Sequence, residues 1–141
     1  MTYQSIQEIE SIVRSFECCQ LPRSQWTHEA HLAVGFWFLT HYSLAEAIER
    51  MKSGIRRYNQ AVGISNSQTS GYHETITLFW LRKIQAVLID QPSTQFTPIL
   101  WNHLSQQCSD PKLPLQYYSH DYLMSWQARS SWVEPDLQPL F

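Results

Sequence analysis

Long apolar runs are missing from this sequence. None approaches the ~18 residues that a membrane-spanning helix needs, and the opening Met1-Thr-Tyr-Gln-Ser5 has neither the basic stretch nor the apolar block of a secretory signal. Charge is scarce too, at 16% of residues with a net charge of −2, so there is no basic footprint for a nucleic-acid backbone or an anionic membrane surface. The three cysteines, Cys18, Cys19 and Cys108, form no C-x-x-C pair, which speaks against a structural zinc site, a redox pair or a disulfide framework. Glycine-rich phosphate loops, internal repeats, low-complexity tracts and strand-like alternation are absent as well. Together these absences predict a cytoplasmic protein with small-molecule or protein partners and no nucleic-acid or membrane partner, and they leave a homo-oligomer open.

Apolar and aromatic residues are plentiful: 43% of the 141 residues are hydrophobic and 13% aromatic, six of them tryptophan. A chain of this length buries roughly 70% of the surface its unfolded form exposes, which predicts one core and a single domain over residues 1–141.

Periodicity predicts an all-α bundle of about five main helices with an irregular C-terminal tail. Ile6, Ile9, Val13 and Phe16 form one stripe on a first helix that ends before Leu21-Pro22. A second helix is expected from Thr27, its N-cap, to His41; the run Ala33 to Leu39 is apolar all round, which marks a central helix. Ser43 and Glu46 have capping-box spacing and open a third helix with Leu44, Ile48, Met51, Ile55, Tyr58 and Val62 on one face and Glu46, Glu49, Arg50, Lys52 and Arg56 on the other.

The small, polar stretch 63–71 is a loop, followed by a fourth helix from about Tyr72 to Ile89 that Asp90-Gln-Pro92 stops. A fifth helix is expected over Thr94 to Gln107, with Pro98 either in its first turn or breaking it. Short helices are expected near Leu115 to Tyr118 and Ser125 to Val133, and the tail Glu134 to Phe141 should lie extended.

Three histidines stand out. His28 and His31, three apart, fall on neighbouring turns of an inward face of helix two, and His73 continues a buried stripe through Ile76 and Trp80. If helices two, three and four alternate in direction, helices two and four are parallel, so all three histidines reach one end of the bundle with Arg56, Arg57, Tyr58 and Asn59 and the loop at Asn66 and Ser70.

Neutral imidazole is a common ligand for zinc and similar divalent ions, and three histidines with an open position make a catalytic arrangement in which metal-bound water is a nucleophile. Glu29 and Glu74 are the candidate general bases, although each also complements the first turn of its helix. Arg56, Arg57, Asn66 and Tyr72 are candidates for holding a cofactor or an anionic small molecule. The alternative is a noncatalytic binding or interaction module whose histidines bond backbone carbonyls or cap helices. His-Glu-Ala-His is one residue short of the zincin H-E-x-x-H, and Arg23 to His28 has the R-x4-H spacing of HEPN ribonucleases but straddles a loop and a helix cap. His41, His103 and His120 read as structural.

The strings Trp26-Thr-His-Glu-Ala-His-Leu32, Arg56-Arg-Tyr-Asn59, Gly71-Tyr-His-Glu-Thr-Ile-Thr77 and Trp132-Val-Glu-Pro-Asp-Leu-Gln-Pro-Leu140 resemble those of an uncharacterised family of small bacterial proteins, including cyanobacterial ones. The resemblance implies bacterial origin and a single-domain architecture, and no reaction. In outline the chain is also similar to DinB-like bundles, in which three histidines bind a divalent metal, but its H-x2-H followed by a distant histidine departs from their spacing.

Overall fold

The computed structural model describes residues 3–91 and 96–141, and no described residue is in a strand. Each of the first three helices begins where a hydroxyl satisfies an otherwise free backbone N–H. In α1 (Ile6–Glu17) Ser5 accepts from Glu8, in α2 (His28–His41) Thr27 accepts from Ala30, and in α3 (Leu44–Ala61) Ser43 accepts from Glu46.

The apolar stripe of α1 buries Ile9, Val13 and Phe16. Phe16 is the contact with α3: a Cβ at Gly54 would lie 2.8 Å from its ring, so only glycine lets the two helices approach this closely. Helix α2 buries residues on all sides, from Ala30 to Phe38, and it touches α1, α3, α4 and α5, which makes it the central helix its composition predicts. The outward face of α3 is solvated, with Glu46 and Arg50 in an exposed ion pair.

Helix α4 spans Glu74–Ile89, two residues shorter at its start than the periodicity suggests, because His73 is its N-cap in extended backbone rather than its first turn. Helix α5 spans Pro98–Gln107, with Thr97 capping and Pro98 at a first-turn position where its missing N–H costs nothing. The expected stop at Pro92 and start at Thr94 lie outside the described residues.

The C-terminal third keeps the expected short helical segments at shifted bounds and adds one at residues 120–123. A 3-10 turn covers Leu113–Gln116, and two short helices follow, α6 (His120–Leu123) and α7 (Trp126–Ser130). The tail beyond them is irregular and pinned by the Tyr118 hydroxyl donating to the Val133 carbonyl at 2.7 Å and by Asp136 accepting from the Ser119 amide.

The interior is not one core but two clusters. The larger joins α1 to α5, and the smaller gathers Phe79, Tyr118, Leu123, Ala128 and Val133. Helix α4 lies between them, and Trp80 packs on both. No helix among the described residues is long and apolar enough to cross a membrane.

Phe16 is fully buried and stacks on Trp26 at 4.5 Å. Phe16→Ala should therefore lower unfolding free energy in urea by about 3–5 kcal/mol; a loss below about 1 kcal/mol would mean that the α1/α3 contact is not the tight one described.

Candidate functional site

Helices α2, α3 and α4, with Trp26 and the loop before α4, line a half-open cavity of about 350 Å³. It starts at the end of the bundle where the first turns of α2 and α4 meet the last turns of α3, as alternating helix direction requires, and runs inward past Met51, Ile55, Leu81 and Ile84. His31 and His73 both line it, with Trp26, Asn59, Tyr72 and Trp80. Most of the wall is hydrocarbon and aromatic ring.

The two histidines play different parts. His73 uses both ring nitrogens on the backbone: Nδ1 accepts the Ile76 N–H at 3.1 Å, and Nε2 donates to the Leu123 carbonyl at 2.7 Å. Accepting at one nitrogen and donating at the other requires the neutral tautomer protonated at Nε2. Burial, and to a lesser degree the Arg129 guanidinium, also push its pKa down.

His31 spends one nitrogen only. Its Nδ1–H donates to the Thr27 carbonyl at 2.7 Å, and its ring stacks on Trp26 with centroids 3.7 Å apart. Burial brings its pKa down to about 4, so at neutral pH the ring is uncharged and Nε2 carries a lone pair.

The loop before α4 is built around one carbonyl oxygen. Asn66 Oδ1 accepts from the Tyr72 amide at 3.0 Å and from Asn59 Nδ2 at 3.1 Å. The first bond identifies that atom as oxygen, so Asn59 must present its amide nitrogen to it, and Asn59 Oδ1 is left over. Gly71 closes the loop at φ +84°, where a Cβ would collide with Asn66 Oδ1 and the Ser65 carbonyl at 2.5 Å. Arg129 ties the same segment from the other side by donating to the Gly71 and Tyr72 carbonyls.

Among the described residues the one buried side-chain nitrogen or oxygen without a partner is Arg129 Nε. Among the described residues His31 Nε2 and Asn59 Oδ1 accept no hydrogen bond, yet they are not sealed in this way. Both atoms are thus accessible, on residues that line the cavity.

The remaining candidates lie elsewhere. His28 donates from Nε2 to the Cys108 carbonyl at 2.8 Å and meets the edge of Trp80, and it lines a separate cleft with Tyr3, Glu8 and Glu29. Although three apart on α2, His28 and His31 therefore line different cavities, with His28 against the edge of Trp80. Glu74 accepts the Tyr72 hydroxyl at 2.6 Å and pairs with Lys52 at 3.6 Å, so it is already engaged. Burial, followed by that bond and the carboxylate charge, raises the Tyr72 pKa. Arg56 lies over the Tyr72 ring, and Arg56 and Arg57 line a shallow outer depression with Glu49 and Lys52.

A divalent ion needs an uncommitted ring nitrogen from each histidine ligand. His73 has none, and His28 faces another cleft. No group of three His, Cys, Asp or Glu side chains that could hold a metal ion occurs among the described residues. The donors do not fit the expected three-histidine centre, and neither Glu29 nor Glu74 lines the cavity as a base for it.

Trp26, Thr77, Trp80 and Arg129 were not marked by the sequence as site residues. Trp80 follows His73 by seven residues, two helical turns, which is a usable signal; Arg129 comes from a segment whose path no periodicity gives. The chain matches no protein-family model, no curated protein and no solved structure.

Two consequences are measurable. A histidine whose folded pKa is depressed to about 4 takes up a proton more readily when unfolded, where its pKa is ~6.5. Its neutral form contributes stability that is complete above pH ~6.5 and is lost progressively as pH falls towards 4. Urea midpoints should fall across that window, and less steeply in His31→Phe; an unchanged slope would contradict the burial of this ring. Gly71→Ala should cost about 1–3 kcal/mol through its positive φ alone, with the clash against Asn66 added, as read from urea midpoints.

Proposed function

We propose that this protein is a binding module for a small, uncharged and largely apolar molecule, held in the cavity between α2, α3 and α4. The observation that carries this is the pairing of a mostly apolar wall with two accessible but unspent acceptors, His31 Nε2 and Asn59 Oδ1. A volume of about 350 Å³ is within the range of small-molecule sites, in which a few polar groups orient a ligand that hydrocarbon holds.

Charge argues the same way. Among the described residues no carboxylate, lysine or arginine lines this cavity, and bringing an ion into such a space without a partner is costly. Arg56 and Arg57 line the outer depression beside Glu49 and Lys52, and neither is among the residues that line this cavity.

Hydrolysis finds less support than binding. The Thr77 hydroxyl donates to the His73 carbonyl, and a histidine with a pKa of about 4 is a weak general base at neutral pH. The fit is better to a site that holds its ligand unchanged.

Methyl-detected NMR with toluene as the probe tests this. Saturable shifts are expected at Ile55, Ile76 and Ile84, with none at Ile89 or Ile99, which are exposed. Absence of saturation with both toluene and phenol up to their solubility limits, or saturation confined to residues outside the cavity, would overturn the proposal.

A further inference from the structure

We infer that the ligand is an uncharged hydrogen-bond donor, a compact apolar body carrying an O–H or N–H of the phenol or indole kind, and that His31 Nε2 is the atom that reads it. This rests on the cavity being a ligand site, and it goes further by fixing the direction of the polar contact.

The direction follows from which protons are already committed. The single N–H of the neutral His31 ring goes to the Thr27 carbonyl, so the ring offers an acceptor. Asn59 faces the loop with its amide nitrogen, so its oxygen is what remains. The Thr77 hydroxyl proton goes to the His73 carbonyl, the Tyr72 hydroxyl proton to Glu74, and the His73 Nε2 proton to Leu123. These donors are spent, whereas the indole N–H groups of Trp26 and Trp80 and the second amide hydrogen of Asn59 make no hydrogen bond among the described residues. The wall can therefore give a proton as well as take one, and a ligand O–H or N–H is what its two acceptors still require. A ligand that itself only accepts would leave both acceptors stripped of water and unpaired, which costs more than a bond not made.

Position is fixed as well as polarity. His31 is held by its bond to Thr27 and by Trp26, whose ring also stacks on Phe16 and approaches Tyr58. An acceptor fixed in this way loses little freedom when a donor arrives. The ring is uncharged near neutral pH, so an anion gains no ion pair from it.

Phenol and toluene have nearly the same shape, and toluene leaves water more readily. An apolar cavity with no reader would prefer toluene. In titrations near neutral pH we expect phenol to bind about tenfold more tightly than toluene, and benzoate not to bind. His31→Phe, which keeps a ring against Trp26 but removes the acceptor, should reverse the order. In the unsubstituted protein, phenol but not toluene should shift the His31 Nε2 resonance, a readout that does not require the variant to fold.

Toluene binding as tightly as phenol, or benzoate binding more tightly than either, would overturn the donor assignment while leaving the cavity a ligand site. An unmoved His31 Nε2 resonance with phenol bound would do the same. Failure of both toluene and phenol to bind would overturn the cavity as a ligand site, and this inference with it.

Discussion

The residues that lead into α4, Tyr72 and His73, are buried in the protein, as is Thr75 in its first turn, and the free N–H groups must be satisfied there. An unmet backbone donor in such a place costs about as much as a lost hydrogen bond. The chain meets this demand with side chains that would otherwise be chemically interesting. His73 takes the Ile76 amide and, through its other nitrogen, fastens α6 at Leu123. Asn66 takes the Tyr72 amide and thereby turns Asn59. The tautomer of His73, the facing of Asn59 and the closure at Gly71 all follow from this one requirement.

The same requirement separates structural histidines from a candidate functional one. Three imidazoles near helix starts invite a metal, yet two of them donate to carbonyls of distant segments, His28 to Cys108 and His73 to Leu123. Those contacts join α2 to the end of α5 and α4 to α6. Of the three, His31 alone has no bond to a distant segment; it bonds four residues back and keeps a lone pair on a residue that lines the cavity. What distinguishes it is a nitrogen left over after the fold's own needs are met.

Much of the helical framework was legible because it is local. The stripe Ile9, Val13 and Phe16, the caps Thr27 and Ser43, and the all-round apolar run of α2 each depend on spacing within a turn or two. Helix parity brought His31, His73 and Asn59 to one end, and it did so without side-chain detail. The rest depended on contacts across the chain. A histidine acting as N-cap lies outside the Ser, Thr, Asp and Asn pattern, so His73 was read as a residue of the helix. The divergence of His28 from His31 depends on where Cys108 falls, about 80 residues away. The second cluster around Tyr118 exists because the tail returns to the far face of α4, and no local pattern encodes that return.

The account is tested most directly by a crystal structure of the protein grown with phenol. It predicts a single phenol in the cavity between α2, α3 and α4, its hydroxyl within hydrogen-bond distance of His31 Nε2 or Asn59 Oδ1, with His73 still bonded to Leu123. Phenol in the cleft beside His28 with this cavity closed, or phenol in the cavity with its hydroxyl turned away from both acceptors, would contradict it.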